Sequence, residues 1–142
     1  MSKDFIAKQS ITINAPASKV WDALINPEMI KQYLFGTDAV SDWKVGSPIT
    51  YKGSWDGKAY EDKGTVLNVV DEKLFESTYW SSMSGTSDTQ ENYKNVRYEL
   101  KPVNGDTTLM ITQNNNATEE EKNHSEQNWR MVLNTLKELL EK

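Results

Sequence analysis

Hydrophobic residues near the C-terminal end of the chain recur at the spacing of an amphipathic helix. The stripe consists of Trp129, Val132, Leu133, Leu136, Leu139 and Leu140. Thr118 and Glu121 precede it with the three-residue spacing of a capping box, and Glu119 and Glu120 favour the positive end of the helix dipole. The pattern predicts a long helix that begins near residue 118 and buries one face.

The first third of the chain changes from a strand pattern to two short helical patterns. Residues 5–14 alternate as a strand, which Pro16 ends. The first helix carries an apolar face of Val20, Trp21, Leu24 and Ile25. Asn26, Pro27 and Glu28 repeat a helix start signal, and the second helix then presents Met29, Ile30, Tyr33 and Leu34.

From Asp38 onward, apolar and polar residues alternate with a period of two. This alternation predicts six further strands, over residues 38–43, 48–55, 59–70, 74–82, 92–101 and 107–115. Short joints such as Asn104–Gly105–Asp106 indicate antiparallel neighbours. The small polar residues 81–89 predict a long, mobile hairpin loop instead.

An antiparallel sheet must bury its apolar face, and the C-terminal helix is the only predicted element long enough to cover it. We therefore predict an α+β fold with a curved, seven-stranded antiparallel sheet around a long C-terminal helix. Two short helices follow the first strand. Space between a curved sheet and a helix is the default ligand site of such a fold.

Composition narrows the classes of function. The 142 residues fit a single domain over residues 1–142, and the absence of cysteine excludes disulfides and thiolate chemistry. A net charge of −5 without a basic cluster argues against a nucleic-acid partner. No apolar run approaches the roughly 20 residues of a membrane span, and no signal-peptide core is visible, so we expect a cytoplasmic protein.

Acidic pairs are the only pattern that suggests a metal. Asp38 with Asp42, and Glu61 with Asp62, lack the glycine turn of a calcium loop, and the single histidine, His124, excludes a two-histidine motif. We interpret these acids as rim charges and His124 as solvent-exposed. No metal and no cofactor are predicted.

Three segments together resemble a known superfamily. They are residues 13–24 (INAPASKVWDAL) with the Asn-Pro-Glu at 26–28, residues 64–80 with a Gly-x-Val strand and a Leu-x-x-x-Thr-x-Trp strand, and residues 129–136 (WRMVLNTL). This order resembles the SRPBCC (START-like, Bet v-like) superfamily, in its branch similar to the activator of heat-shock protein ATPase. The resemblance implies the helix-grip fold. Asn128 departs from it, because the branch usually has glycine before the helix tryptophan.

The resemblance implies three functions, and the first is binding of a small apolar, aromatic or lipid-like ligand in the cavity. Five tryptophans and six tyrosines provide flat surfaces with a polar handle. If the aromatic strand faces point inward, the ligand-binding residues are Tyr51, Trp55, Trp80, Tyr98 and Trp129. Tyr33 and Phe35 would form an entrance or a hydrophobic plug. Aromatic residues at strand spacing are equally typical of a plain core.

The second function is a co-chaperone role, in which surface contacts regulate a heat-shock protein ATPase. The surfaces available for it are the polar residues 83–89 and the acidic face of the last helix. The third function is a cyclase-like or hydrolase-like enzyme, for which Glu76 is the candidate acid if its strand face points inward. With the strand rotated, Phe75, Ser77 and Tyr79 point inward and Glu76 is a surface charge, which we favour. No catalytic residue is predicted.

Overall fold

The structure is a computed structural model that describes residues 5–34, 36–55, 57–82 and 85–141. Its strands are β1 (Phe5–Ile13), β2 (Asp38–Ser41), β3 (Pro48–Trp55), β4 (Lys58–Val70), β5 (Leu74–Ser81), β6 (Lys94–Val103) and β7 (Asp106–Asn116). Its α-helices are α1 (Ala17–Ile25), α2 (Pro27–Tyr33) and α3 (Glu119–Leu140). The predicted α+β architecture is confirmed, and strand ends lie within two residues of the prediction.

The strands form one antiparallel sheet in the order β1-β7-β6-β5-β4-β3-β2. β6 and β7 are joined by Asn104 and Gly105, whose φ angles of 52° and 88° are both positive. Such a two-residue turn matches the twist of the sheet, and asparagine and glycine adopt it at the lowest cost. The loop after β5 contains a 3₁₀ turn at Gln90–Asn92 that the sequence did not predict.

The stripe of α3 lies against the inner face of the sheet. Leu133, Leu136 and Leu140 are buried, and Trp129, Val132 and Leu139 are partly buried against the same core. The hydroxyl of Thr118 accepts a hydrogen bond from the Glu121 amide at 3.1 Å, as a capping box requires. The Glu121 carboxylate returns to the amide of Ala117 rather than to that of Thr118.

The two short helices cover the rest of the inner face. α1 packs on β6 and β7, whereas α2 contacts β2 and α3. The side chain of Asn26 accepts a hydrogen bond from the Glu28 amide at 3.0 Å, which caps α2 as expected. In the described part of the chain, no helix is both long enough and apolar enough to cross a membrane.

Strand β5 has the orientation favoured in the sequence analysis, in which Phe75 and Ser77 point inward and Glu76 points outward. Phe75 and Ser77 are buried, and Phe75 lies opposite Tyr98 of β6 on the inner face. Glu76 is therefore on the outer face, where its carboxylate accepts a hydrogen bond from Asn68 at 2.6 Å. Phe75 is only 1% exposed, and turning the strand would expose this ring and bury a carboxylate.

Candidate functional site

A cavity of about 410 Å³ lies between the inner face of the sheet and α3. Its volume falls within the range of small-molecule sites. It is lined by residues of β3 to β7, of α3 and of the segment after α2: Leu34, Thr37, Tyr51, Tyr60, Asp62, Ser77, Tyr79, Val96, Tyr98, Gln113, Ser125, Asn128, Trp129, Met131 and Val132. The helix therefore grips the sheet without filling the space beneath it.

Aromatic rings form the wall where α3 meets the sheet. The rings of Tyr98 and Trp129 lie 6.0 Å apart at 88°, in an edge-to-face contact. Phe75 follows at 6.1 Å from Tyr98. The indole N–H of Trp129 donates to Oε1 of Gln113 at 2.9 Å, and the Gln113 amide donates to Ser125. These hydrogen bonds fix the orientation of the indole ring.

A carboxylate faces the cavity on the β4 side. Oδ2 of Asp62 accepts a hydrogen bond from the Tyr79 hydroxyl at 2.9 Å, whereas Oδ1 is buried without a partner in the described part of the chain. Burial raises the pKa of Asp62, and contacts with Ser81 and Tyr79 oppose this rise. Charge inside a mostly aromatic wall is costly, which marks Asp62 as a functional candidate.

Tyrosine hydroxyls surround this acid. Burial raises the pKa of Tyr51, and neighbouring tyrosines and Asp62 raise it further. Burial also raises the pKa of Tyr98. Both hydroxyls therefore stay protonated near neutral pH and remain able to donate. Among the described residues, neither hydroxyl has a hydrogen-bond partner.

Tyr60 reaches the cavity beside a strand position where a side chain would crowd its ring. Its register partner is Gly53, where a Cβ atom would lie 2.6 Å from the Tyr60 hydroxyl oxygen. The hydroxyl of Thr37 donates to the Leu34 carbonyl at 2.6 Å, so its oxygen accepts the hydrogen bond from Tyr60. Gly53 and Thr37 thus position one more phenol at the cavity wall.

The structure brings together Tyr51, Tyr98 and Trp129 of the seven predicted ligand-binding residues. The backbone of Trp55 ends β3, but its side chain and the whole of Phe35 lie outside the described residues. Tyr33 is 5% exposed and belongs to the hydrophobic core, not to the cavity wall. Of the two roles stated for Tyr33, this buried position fits a hydrophobic plug and not an entrance.

Trp80 was placed in the wrong wall by the prediction. Because Phe75, Ser77 and Tyr79 point inward, alternation carries Trp80 to the opposite face of β5. There its ring stacks on Tyr93 at 6.4 Å, and the Lys63 ammonium lies 5.7 Å from its ring centre. Trp80 is therefore corrected from a cavity residue to an outer-face residue.

Asp62 and Tyr79 form the polar end of the cavity. Neither is among the predicted ligand-binding residues, although the favoured orientation of β5 does place Tyr79 inward. Asp62 was interpreted as a rim charge, yet it pairs with Tyr51 in the β3–β4 register. Directly opposed residues share a face, so placing Tyr51 inward already implied an inward Asp62. Tyr79 follows in the same way from an inward Phe75. By contrast, the pairs Lys31–Asp38 and Lys52–Glu61 are exposed surface contacts.

A family comparison agrees with this geometry. The profile described as activator of Hsp90 ATPase homolog 1-like protein matches residues 14–141. The chain belongs to the activator of Hsp90 ATPase homolog 1-like family. The superfamily and branch inferred from the sequence are thereby confirmed. No curated protein matches the chain.

Solved structures share the fold of this Hsp90-activator-like chain. ChR145 from Cytophaga hutchinsonii is 48% identical, with a TM-score of 0.87 and coverage of 99% of this chain and 97% of that chain. The Aha1 dimer from Colwellia psychrerythraea is 21% identical, with a TM-score of 0.76 and 96% coverage of both chains. CalU16 from Micromonospora echinospora is 15% identical, with a TM-score of 0.71 and coverage of 94% and 82%. The last two resemblances concern the fold alone.

Proposed function

We propose that this member of the Hsp90-activator-like family binds a small, flat, largely apolar molecule between the sheet and α3. The observation that carries the proposal is the aromatic cavity of about 410 Å³, which side chains leave unfilled. A core that served stability alone gains by closing such a space, because empty volume costs packing energy. Retained space with convergent polar groups is typical of a ligand site.

The aromatic wall suits a planar ligand. Tyr98 and Trp129 present ring surfaces held at a fixed angle, so a flat molecule can stack without reordering them. The hydroxyls of the cavity-lining residues Tyr51 and Tyr98 supply the few polar contacts that orient such a molecule. Rigid rings lose little conformational freedom on binding, which favours affinity.

Surface regulation of a heat-shock ATPase is the second candidate, and the family description favours it. The acidic start of α3 is the nominated surface. Glu119 and Glu120 are exposed, but acids in a first helical turn already have a structural explanation in the helix dipole. Residues 83 and 84 of the nominated loop lie outside the described residues. The cavity is therefore the better supported site.

The acid that the enzyme hypothesis requires, Glu76, does not lie in the cavity. Glu76 lies on the outer face of β5 and cannot reach the cavity. Asp62 does face the cavity, but a carboxylate and phenols alone do not define a reaction. We therefore propose binding rather than catalysis.

Titration with the neutral fluorophore N-phenyl-1-naphthylamine tests the proposal. We expect saturable fluorescence enhancement with one site per chain in the wild-type protein. Val132→Phe places a ring in the cavity from α3 and should weaken binding at least tenfold. Val103→Phe is the matched control, because Val103 is 39% exposed at the far end of β6. Circular dichroism verifies that both variants are folded.

Two results would overturn the proposal. The first is the absence of saturable binding by the wild-type protein. The second is equal binding by the Val132→Phe and Val103→Phe variants, because the probe would then occupy another surface. In either case regulation of a heat-shock ATPase through surface contacts becomes the better supported function.

A further inference from the structure

The chemical character of the cavity lining constrains its occupant beyond size and shape. Among the described lining residues, Asp62 is the single ionisable group with charge at neutral pH, and no lysine, arginine or histidine accompanies it. The nearest cation in sequence, Lys63, is directed outward, where it pairs with Asp88. A negatively charged ligand group would therefore meet a like charge without a counterion.

The unpaired oxygen of Asp62 requires a hydrogen-bond donor. Oδ2 is satisfied by Tyr79, and Oδ1 is buried with no partner among the described residues. A carboxylate oxygen accepts hydrogen bonds and, when ionised, does not donate them. A ligand hydroxyl or N–H that reaches the Asp62 carboxylate would form a charge-assisted bond, which is about twice as strong as a neutral one.

Resting on the binding function proposed above, we infer that Asp62 selects ligands by their hydrogen-bond donors. The cavity takes aromatic molecules that carry a phenolic hydroxyl or an N–H group, and it discriminates against aromatic carboxylates. Burial of Asp62 strengthens this selection, because the contrast between paired and unpaired polar groups grows where water is excluded. Fatty acids and other anionic lipids are accordingly the wrong chemical class for this site.

Three naphthalene derivatives with one shared ring system separate the possibilities. 2-Naphthol offers a donor, 2-methoxynaphthalene offers no donor, and 2-naphthoate carries a negative charge at pH 7. Their dissociation constants can be measured by ¹H–¹⁵N NMR titration. We expect 2-naphthol to bind the wild-type protein at least tenfold more tightly than either of the other two.

The Asp62→Asn variant tests whether the carboxylate of Asp62 selects the ligand. If the new amide oxygen accepts from Tyr79, its NH₂ group replaces the unpaired carboxylate oxygen and turns an acceptor into a donor. The variant should therefore bind 2-naphthoate at least tenfold more tightly than the wild-type protein does, and 2-naphthol more weakly. Glu61→Gln removes the adjacent charge from the outer side of β4, where Glu61 faces Lys52, and should leave all three constants unchanged.

The outcomes distinguish a failure of the selection by Asp62 from a failure of the binding function itself. Equal affinities for the three compounds, or an unchanged order of affinities in Asp62→Asn, would overturn the selection by Asp62 and leave the binding function intact. No binding of the three compounds, together with no binding of N-phenyl-1-naphthylamine, would overturn both. A reversed preference in Asp62→Asn with an unaltered Glu61→Gln supports the inference.

Discussion

The hydroxyl of Tyr79 donates to one carboxylate oxygen of Asp62 across β4 and β5, at 2.9 Å. The second oxygen of Asp62 is buried and has no partner among the described residues. This half-satisfied carboxylate faces an aromatic cavity, and burial raises its pKa. Stability and the ligand selection proposed above would therefore depend on the same side chain, so the same variants can measure both.

Asp62→Asn should increase the free energy of unfolding at pH 7. A carboxyl whose pKa is raised by folding binds its proton more tightly in the folded state, so its contribution to stability decreases as pH rises above 3.8, its ordinary pKa. The asparagine variant lacks this penalty. Urea denaturation between pH 3 and 7 should show a gain at neutral pH that disappears at the acidic end. Parallel pH profiles for the two proteins would contradict the assignment.

Tyr79→Phe should raise the pKa of Asp62 still further. The lost hydrogen bond favours the charged form, and the pKa rises when the charged form loses a donor. Carboxyl ¹³C NMR titration measures the shift directly. Tyr93→Phe is the matched control, because the Tyr93 hydroxyl bonds Asp88 on the outer side. An unchanged Asp62 titration in Tyr79→Phe would show that this bond is absent in solution.

Trp129→Phe should destabilise the fold by about 1–3 kcal/mol, the usual cost of leaving a buried polar group without its partner. The group left behind is Oε1 of Gln113, a residue that is 6% exposed. Chemical denaturation of Trp129→Phe, Gln113→Met and the double variant measures the coupling. The double variant should cost less than the sum of the two single ones, since both partners are then removed. Strict additivity would exclude a coupling between these side chains.

Gly53→Ala should destabilise the fold by about 1–3 kcal/mol, a typical cost of overpacking. Its Cβ would lie 2.6 Å from the hydroxyl oxygen of Tyr60. In a Tyr60→Ala background the same change should cost nothing, because the obstructing ring is gone. Gly64→Ala is the contrasting control, since its Cβ would lie 1.8 Å from the backbone oxygen of Thr78 and no truncation relieves it. Thermal unfolding of the four proteins, with wild type, separates the cases.

The sequence predicted elements better than it predicted their orientation. The α3 stripe and the Asn104–Gly105 turn are local patterns, and local patterns carry their own geometry. Strand β5 was ambiguous because both of its faces hold apolar side chains, with Phe75 on one and Trp80 on the other. Only the pairing with β6 decides which ring is buried. The residue pattern of one strand does not determine how that strand pairs with its neighbours in the sheet.

Asp62 shows why the candidate site was harder to predict than the fold. A charged residue on a strand is normally assigned to solvent, and that rule is correct for Glu61. Sites that bind ligands break the alternation of apolar and polar positions, so the rule fails where function lies. The register partner Tyr51 provided the missing signal, because it fixes the face of Asp62.

Strand β1 and helix α3, together with the residue that follows each of them, are joined by hydrogen bonds between residues 117 to 127 positions apart in sequence. Examples are Lys8 with Glu126 and Asn14 with Glu141. Contacts of such separation slow folding, because the entropy of closing the chain is lost before they form. During synthesis β1 emerges before its helical partner. The pocket consequently takes shape only after α3 has been synthesised.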